Sequence, residues 1–163
     1  MGLSFTVGGT KGTFDDRLAT EVAGVLDNAF GAEGEWEGSP PRRFGDPGLE
    51  GWPGLQARAE AEFGRDAVPN LVALGTEGRG VYLPTHVEAM SLPLPAGEPL
   101  RCASLPGLRE ELAELAGRWK LPIDDEGLQG IRDHDEAEVR AFAHLALAAN
   151  EACRRDCPLW VVG

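Results

Sequence analysis

Apolar residues recur at two different spacings along the chain, and the change of spacing predicts the order of its helices and strands. A run of β-formers over residues 3–7 predicts a first strand. The next segment carries a stripe at helical spacing and ends at Gly31, a residue typical of the position just past a helix. Thr13 and Asp16 stand at the spacing of a capping box, so we expect the helix to begin there. The stripe consists of Leu18, Val22, Val25, Leu26 and Phe30.

Residues 31–54 are rich in glycine and proline and have no regular apolar spacing, which predicts one long loop. Loops of this length are uncommon in compact domains and are functional or mobile where they occur. Aromatic residues are scarce in disordered segments, so we expect the three in this loop to anchor it on the core. The three are Trp36, Phe44 and Trp52. A short helix is expected next, with Pro53 in its first turn and Gly64 at its end.

The middle of the chain has the pattern of short strands. Residues 70–84 contain two apolar, β-rich runs separated by a loop with two glycines, which predicts a hairpin. Residues 85–94 and 99–106 are interpreted as further short strands. Because proline cannot donate to a sheet ladder, their prolines place them at a sheet edge or in a loop.

The last third of the chain predicts two helices and a strand. A leucine stripe that ends at Trp119 predicts a helix with one face turned inward; its members are Leu105, Leu108, Leu112 and Leu115. Asp135 and Glu138 have capping-box spacing and should open a long, alanine-rich helix that runs to Cys153. Its small residues predict close packing against a neighbour. Residues 157–163 are expected to form the closing strand.

This order of elements predicts an α+β fold, with residues 1–163 forming a single domain. We expect a mixed β-sheet of about four to six short strands, and four helices packed mainly on one face. The length of 163 residues suffices to bury a core without disulfides or structural metals.

The charge balance narrows the classes of partner. The chain has 27 acidic and 15 basic residues, a formal net charge of −12 and an isoelectric point of about 4.6. Because nucleic-acid binding depends on neutralising phosphates with Lys and Arg, a nucleic-acid partner is disfavoured. Two explanations of the acidity stay open: simple solubility, and an acidic face that binds a basic partner.

The location of the protein follows from what its sequence lacks. No apolar run approaches the eighteen or so residues that a membrane span requires, so we expect no membrane association. The first residues lack the basic start and long apolar stretch of a secretory signal. We therefore expect a cytoplasmic protein, with its cysteines reduced. Cys153 and Cys157 have neither the C-x-x-C spacing of redox proteins nor a second pair for zinc.

The segment GGTKGT follows the first strand, where glycine-rich loops of nucleotide-binding proteins hold phosphates. Its spacing matches neither G-x-x-x-x-G-K-[ST] nor G-x-G-x-x-G. Asp15 and Asp16 also place carboxylates at the helix start, where a phosphate would otherwise bind. Lys11 is able to reach an anionic ligand, but we interpret the segment as an ordinary connection between strand and helix.

Two groups of side chains are candidates for catalysis or for metal ligation. Asp133, His134 and Asp135 offer carboxylates and an imidazole, which suit a divalent metal, and His134 is a candidate general base. Capping of the following helix is the alternative role. His86 and Glu88 are the second group, because alternation along a strand would put them on one side.

Charge and the lack of any catalytic spacing together favour one functional class. We expect a small, acidic, bacterial-type protein that is a non-enzymatic binding module of the immunity or regulatory type, without a cofactor, for a basic protein partner. The expected binding residues are Asp124, Asp125, Glu126, Asp133, Asp135, Glu136, Trp36 and Trp52. Two alternatives stay open. One is a small-molecule binder that uses the aromatic loop at 31–54, and the other is a small metal-assisted hydrolase that uses His86, Glu88, Asp133, His134 and Asp135.

Overall fold

The computed structural model of the chain describes residues 4–31, 36, 40–44, 48–75, 79–95 and 97–162. Its strands are β1 (Ser4–Val7), β2 (Arg42–Arg43), β3 (Arg79–Leu83), β4 (Met90–Leu92), β5 (Leu100–Ser104) and β6 (Leu159–Val162). Its α-helices are α1 (Asp16–Phe30), α2 (Gly48–Phe63), α3 (Leu105–Trp119), α4 (Asp125–Ile131) and α5 (Ala137–Arg155). A short 3-10 turn at Arg65–Ala67 follows α2.

The six strands form one mixed sheet in the order β2-β1-β6-β3-β5-β4. Only β3 and β5 pair in parallel, and the other four pairs are antiparallel. The last strand in the sequence, β6, lies in the middle of the sheet, with Val161 opposite Phe5 of β1 and Trp160 opposite Val81 of β3. The two ends of the described chain therefore close the same sheet.

The strands bury both faces of the sheet, because successive side chains point to opposite sides. Tyr82 and Leu159 belong to a core shared with α2, α3 and α5, while their neighbours Val81 and Trp160 belong to a second core beneath α1. Helix α4 adds Leu128 to the first core. The predicted α+β class, with helices mainly on one face, is confirmed; the described chain has five α-helices where four were expected.

Helix α1 begins later than the capping-box spacing predicts. The Asp15 carboxylate accepts a hydrogen bond from the Leu18 N–H at 2.9 Å and so caps the helix. The Thr13 hydroxyl instead donates to the Gly9 carbonyl at 2.8 Å, within the preceding loop. The predicted start at Thr13 is therefore wrong, whereas the end at Gly31 is confirmed by its positive φ of 86° and its N–H bond to Asp27.

The prediction of one loop over residues 31–54 is wrong where the structure forms β2 and the first part of α2. Glycine indicated a loop, yet at Gly51 it permits close helix packing. A Cβ there would lie 2.7 Å from the Ala137 carbonyl oxygen of α5. Pro53 lies inside α2, past the first turn, while the predicted end at Gly64 is confirmed.

The first half of the predicted hairpin is a turn, not a strand. Residues 68–74 have turn and bend conformations, residue 75 has no regular structure, and only the second run forms a strand, β3. Side chains satisfy this backbone in place of a neighbouring strand. Glu111 on α3 accepts hydrogen bonds from the Asn70 and Leu71 N–H groups at 2.9 and 3.0 Å. Gln56 on α2 donates to the Leu71 and Leu74 carbonyls at 2.9 and 2.5 Å.

The proline-flanked segments form strands at and beside one sheet edge. β4 is the edge strand, as the prolines indicated, but β5 lies one position further in, between β3 and β4. Pro99 immediately precedes β5, so its missing N–H removes no hydrogen bond from the ladder. The closing strand is confirmed as β6 and the leucine stripe as α3.

Candidate functional site

The largest concentration of acidic side chains lies on α4, on the connection to α5 and on the first turn of α5. Residues 124–138, called the acidic segment from here on, carry seven carboxylates and a single arginine, Arg132. Sequence reasoning did not predict α4, which is only seven residues long. The Asp124 carboxylate caps it by accepting from the Gly127 N–H at 3.2 Å.

Two carboxylates of the acidic segment tie it to the rest of the fold. Asp125 contacts Arg154 of α5 at 2.7 Å and accepts a hydrogen bond from the Asn150 amide at 3.0 Å. Glu138 pairs with Arg58 of α2 at 3.6 Å. These contacts link the two ends of the segment to α5 and α2.

Four other carboxylates of the segment are exposed and form no ion pair with any described residue. They are Glu126, Asp133, Asp135 and Glu136. The neighbouring arginines donate to uncharged oxygens and not to these carboxylates. Arg132 donates to the side-chain amide oxygen of Gln129 at 3.2 Å. Arg140 donates to the backbone carbonyls of His134 and Asp135 at 2.6 and 2.9 Å. The segment therefore keeps an excess of negative charge at its surface.

His134 has a local structural role at the start of α5. Its Nδ1 accepts a hydrogen bond from the Glu136 N–H at 3.1 Å, and α5 begins one residue later. The capping box expected from Asp135 and Glu138 is therefore wrong, since Glu136 precedes the helix and makes no side-chain cap.

The candidate metal ligands and catalytic residues lie on separate connections. In the described part of the chain, no three His, Cys, Asp or Glu side chains lie close enough together to hold a metal ion. This statement covers Asp133, His134 and Asp135 on the α4–α5 connection. His86 and Glu88 are exposed between β3 and β4, in a segment without regular structure, so the strand on which they were expected to pair is not formed.

The two candidate binding tryptophans are core residues. Trp36 is 4% exposed, packs edge-on against Phe30 and donates from its indole to the Gly31 carbonyl at 3.3 Å. Trp52 is fully buried and packs edge-on against Phe5. Trp36 is therefore buried in the core as expected of a loop anchor, whereas Trp52 is buried as part of α2. Residues 32–35, 37–39 and 45–47 of the predicted loop lie outside the described residues.

The backbone of the loop after β1 makes contacts with other parts of the chain. The Thr10 N–H donates to the Trp36 carbonyl at 2.7 Å. Gly8 has a φ of 143°, and a Cβ there would lie 2.8 Å from the Cα of Pro41. Glycine is thus needed for a close backbone approach, which supports the interpretation as a structural connection.

A groove beside the acidic segment contains residues that sequence reasoning missed. It has a volume of about 510 Å³. Its walls are α3, the residues that precede α4, and α5. Arg109, Ile123, Asn150 and Cys153 line it together with Asp124, Asp125 and Arg154. We call it the Arg109 groove. Asn150 is the residue that the sequence could have revealed, because it is one of two polar residues, with His144, in the buried run of α5.

Asn150 organises this groove. Only 8% of the residue is exposed, and its amide nitrogen donates to the Ile123 carbonyl and to Asp125, both at 3.0 Å. Its amide oxygen accepts from Arg109 at 3.4 Å. A single buried amide thus links α3, the residues before α4 and α4 itself to α5.

The protonation states of the titratable groups in the groove favour binding over nucleophilic chemistry. Burial raises the pKa of the Cys153 thiol, and the neighbouring Arg109 opposes that effect without reversing it. The thiol is therefore protonated at neutral pH and is a poor nucleophile. Hydrogen bonding to Glu151 raises the pKa of Arg154, as does the charge of Asp125, so this guanidinium stays charged and engaged.

None of the helices in the described residues is long and apolar enough to cross a membrane. Comparisons with protein-family models, with curated proteins and with solved structures found no match to this chain, so its function has to be argued from its own surface.

Proposed function

We propose that this chain is a non-enzymatic protein-binding module, of the immunity or regulatory type, that binds a basic protein partner through the acidic segment. The observation that carries the proposal is the set of four exposed carboxylates that have no ion pair with any described residue. Lysines and arginines of a partner supply the missing counter-charges.

The way in which the segment is held favours binding. Asp125 and Glu138 anchor it to Arg154 and Arg58, and His134 closes the turn before α5. A surface that is already ordered loses less conformational entropy when a partner binds. The exposed carboxylates therefore act as a preformed patch.

The charge of the whole chain acts in the same direction. A net charge of −12 attracts a basic protein over a distance of about a Debye length, roughly 8 Å at physiological salt. Complementary charge of this kind raises the association rate and disfavours acidic partners. The same field repels nucleic acid, which we do not propose as a partner. The proposal places the protein in the cytoplasm, where its cysteines stay reduced.

The test is a capture experiment from a lysate of the source cells, with the captured proteins identified by mass spectrometry. The test variant, D133N/D135N/E136Q, neutralises three of the four unpaired carboxylates. The matched control, E88Q/E98Q/E114Q, removes the same charge from exposed positions outside the acidic segment.

We expect the unaltered chain and the control to retain one basic protein that the test variant loses. Equal retention by both variants would show that the acidic segment is not the interface. Equal loss from both would reduce the interaction to net charge alone and would also contradict the proposal.

A further inference from the structure

We propose that the Arg109 groove is a second binding site, for a ligand that carries one carboxylate beside an apolar group. This inference goes beyond the proposed function, because it concerns a ligand of opposite charge and a groove that shares only Asp124 and Asp125 with the acidic segment.

Arg109 has no carboxylate partner among the described residues, although acidic residues outnumber basic ones in the chain. Its neighbours in the groove are the Asn150 amide oxygen, 3.4 Å away, and the Cys153 thiol. A guanidinium has five N–H donors, so most of them remain for a ligand.

Both carboxylates of the groove are engaged by groups other than Arg109. Asp125 is held by Arg154 at 2.7 Å and by the Asn150 amide at 3.0 Å. Asp124 caps α4 through the Gly127 N–H. The groove therefore keeps its own acids away from Arg109 and leaves that cation open to an external acid.

Arg109 contacts a buried group, the side-chain amide of Asn150. Asn150 is more than nine-tenths buried, and both of its amide hydrogens are used, by Ile123 and by Asp125. The direction of its amide is thus fixed, and its oxygen faces the Arg109 guanidinium. Arg109 itself is exposed and contacts this oxygen at 3.4 Å through one guanidinium nitrogen, which leaves the rest of its fork for the two oxygens of one carboxylate.

The residues that line the groove determine the class of ligand. Ile123 is 39% exposed and is one of two large hydrophobic residues exposed in the described chain, which gives the groove an apolar wall. Asp124 and Asp125 also line the groove, so a second negative charge on the ligand is disfavoured. A monoanion with an apolar body fits these walls better than a phosphate dianion. A volume of about 510 Å³ is within the range of small-molecule sites.

The experiment is an NMR titration of the full chain, at constant ionic strength, with N-acetyl-L-leucine as the probe. N-acetyl-L-leucinamide is the matched ligand that lacks the charge, and inorganic phosphate tests whether any anion suffices. The resonances to follow are the Arg109 Nε–H and the Ile123 methyl groups.

We expect saturable shifts with the acid, and at least about tenfold weaker binding in R109Q, the loss of a charge-assisted hydrogen-bonded pair. R109K keeps the positive charge but lacks the guanidinium fork, so its affinity for the acid should lie between those of the unaltered chain and R109Q. R101Q, which removes an exposed arginine outside the groove, should bind as the unaltered chain does. The chain with D133N/D135N/E136Q should also bind normally, so this test is independent of the proposed function.

Four results would overturn the inference. They are shifts of equal size with the amide ligand, binding of phosphate as tight as that of the acid, unchanged affinity in R109Q, and no shift of the two groove resonances with the acid. The spectrum of each variant shows directly whether it is folded.

Discussion

Replacing Glu111 should destabilise the fold through the turn at residues 68–74. The carboxylate is 5% exposed and lies on α3, beneath that turn. It accepts from the Asn70 N–H at 2.9 Å, from the Leu71 N–H at 3.0 Å and from the Asn70 side-chain amide at 2.7 Å. Asn70 in turn accepts from the Tyr82 hydroxyl and the Ser104 N–H, so the network reaches β3 and β5.

The magnitude follows from how many donors lose their acceptor. E111Q keeps one oxygen for the two backbone N–H groups but turns an amide toward the Asn70 amide. One buried donor is then unsatisfied, at about 1–3 kcal/mol. E111A removes the acceptor of all three donors, and we expect about 2–4 kcal/mol, because relief of the buried charge offsets part of the loss.

The assay is urea denaturation followed by circular dichroism, with E110Q as the control. Glu110 is the exposed neighbour on the same helix, and its replacement should change the free energy of unfolding by no more than about 0.5 kcal/mol. If E111Q unfolds at the same urea concentration as E110Q, the buried network does not hold the turn.

The same residue predicts a dependence on pH. Burial raises the pKa of the Glu111 carboxyl, against the opposing hydrogen bonds from Leu71 and Asn70. The folded state therefore takes up this proton more readily than the unfolded state, in which the pKa is about 4.3. Protonation of Glu111 therefore stabilises the folded state. This stabilisation is fully present below the unfolded-state pKa and is lost as pH rises through the folded-state pKa. The stability difference between the unaltered chain and E111Q should thus grow on acidification, and a difference independent of pH would contradict the direction of the shift.

Three further predictions concern packing, capping and thiols. G51A should destabilise the chain by about 1–3 kcal/mol, since its Cβ would lie 2.7 Å from a carbonyl oxygen of α5; G24A, with open space around its Cβ, should be neutral or stabilising in the same thermal melt. D15A should lower the free energy of unfolding by about 1 kcal/mol through loss of the α1 cap, and an unchanged melting temperature would argue against that cap. Burial raises the pKa of Cys102 to about 12, so iodoacetamide at neutral pH should leave it unmodified in the folded chain; mass spectrometry that finds modification as fast as in the unfolded chain would contradict this.

The parts of the fold that were predictable are those set by local sequence. The leucine stripe of α3 and the glycines that end α1 and α2 determine structure through residues nearby in the sequence. The structure has these elements as expected. The start of α2 was missed for a nonlocal reason. Gly51 is required by contact with Ala137 of α5, and no local rule separates that use of glycine from its use in a loop.

Long-range contacts also explain the misassigned strand. Residues 70–75 have a β-like composition, but the carboxylate of Glu111, forty residues away along the chain, satisfies their backbone as a turn. The acidic segment was evident from composition alone. The Arg109 groove was not, because Arg109 and Asn150 are 41 residues apart and meet only when α3 packs against α5.

The central claim is that unpaired carboxylates of the acidic segment bind a basic protein. Its most direct test is the salt dependence of the affinity for the captured partner, measured by calorimetry for the unaltered chain and for D133N/D135N/E136Q. The account predicts an affinity that falls as salt rises, and a weaker affinity with a shallower dependence for the variant. An affinity that does not respond to salt, or the same dependence for both chains, would contradict it.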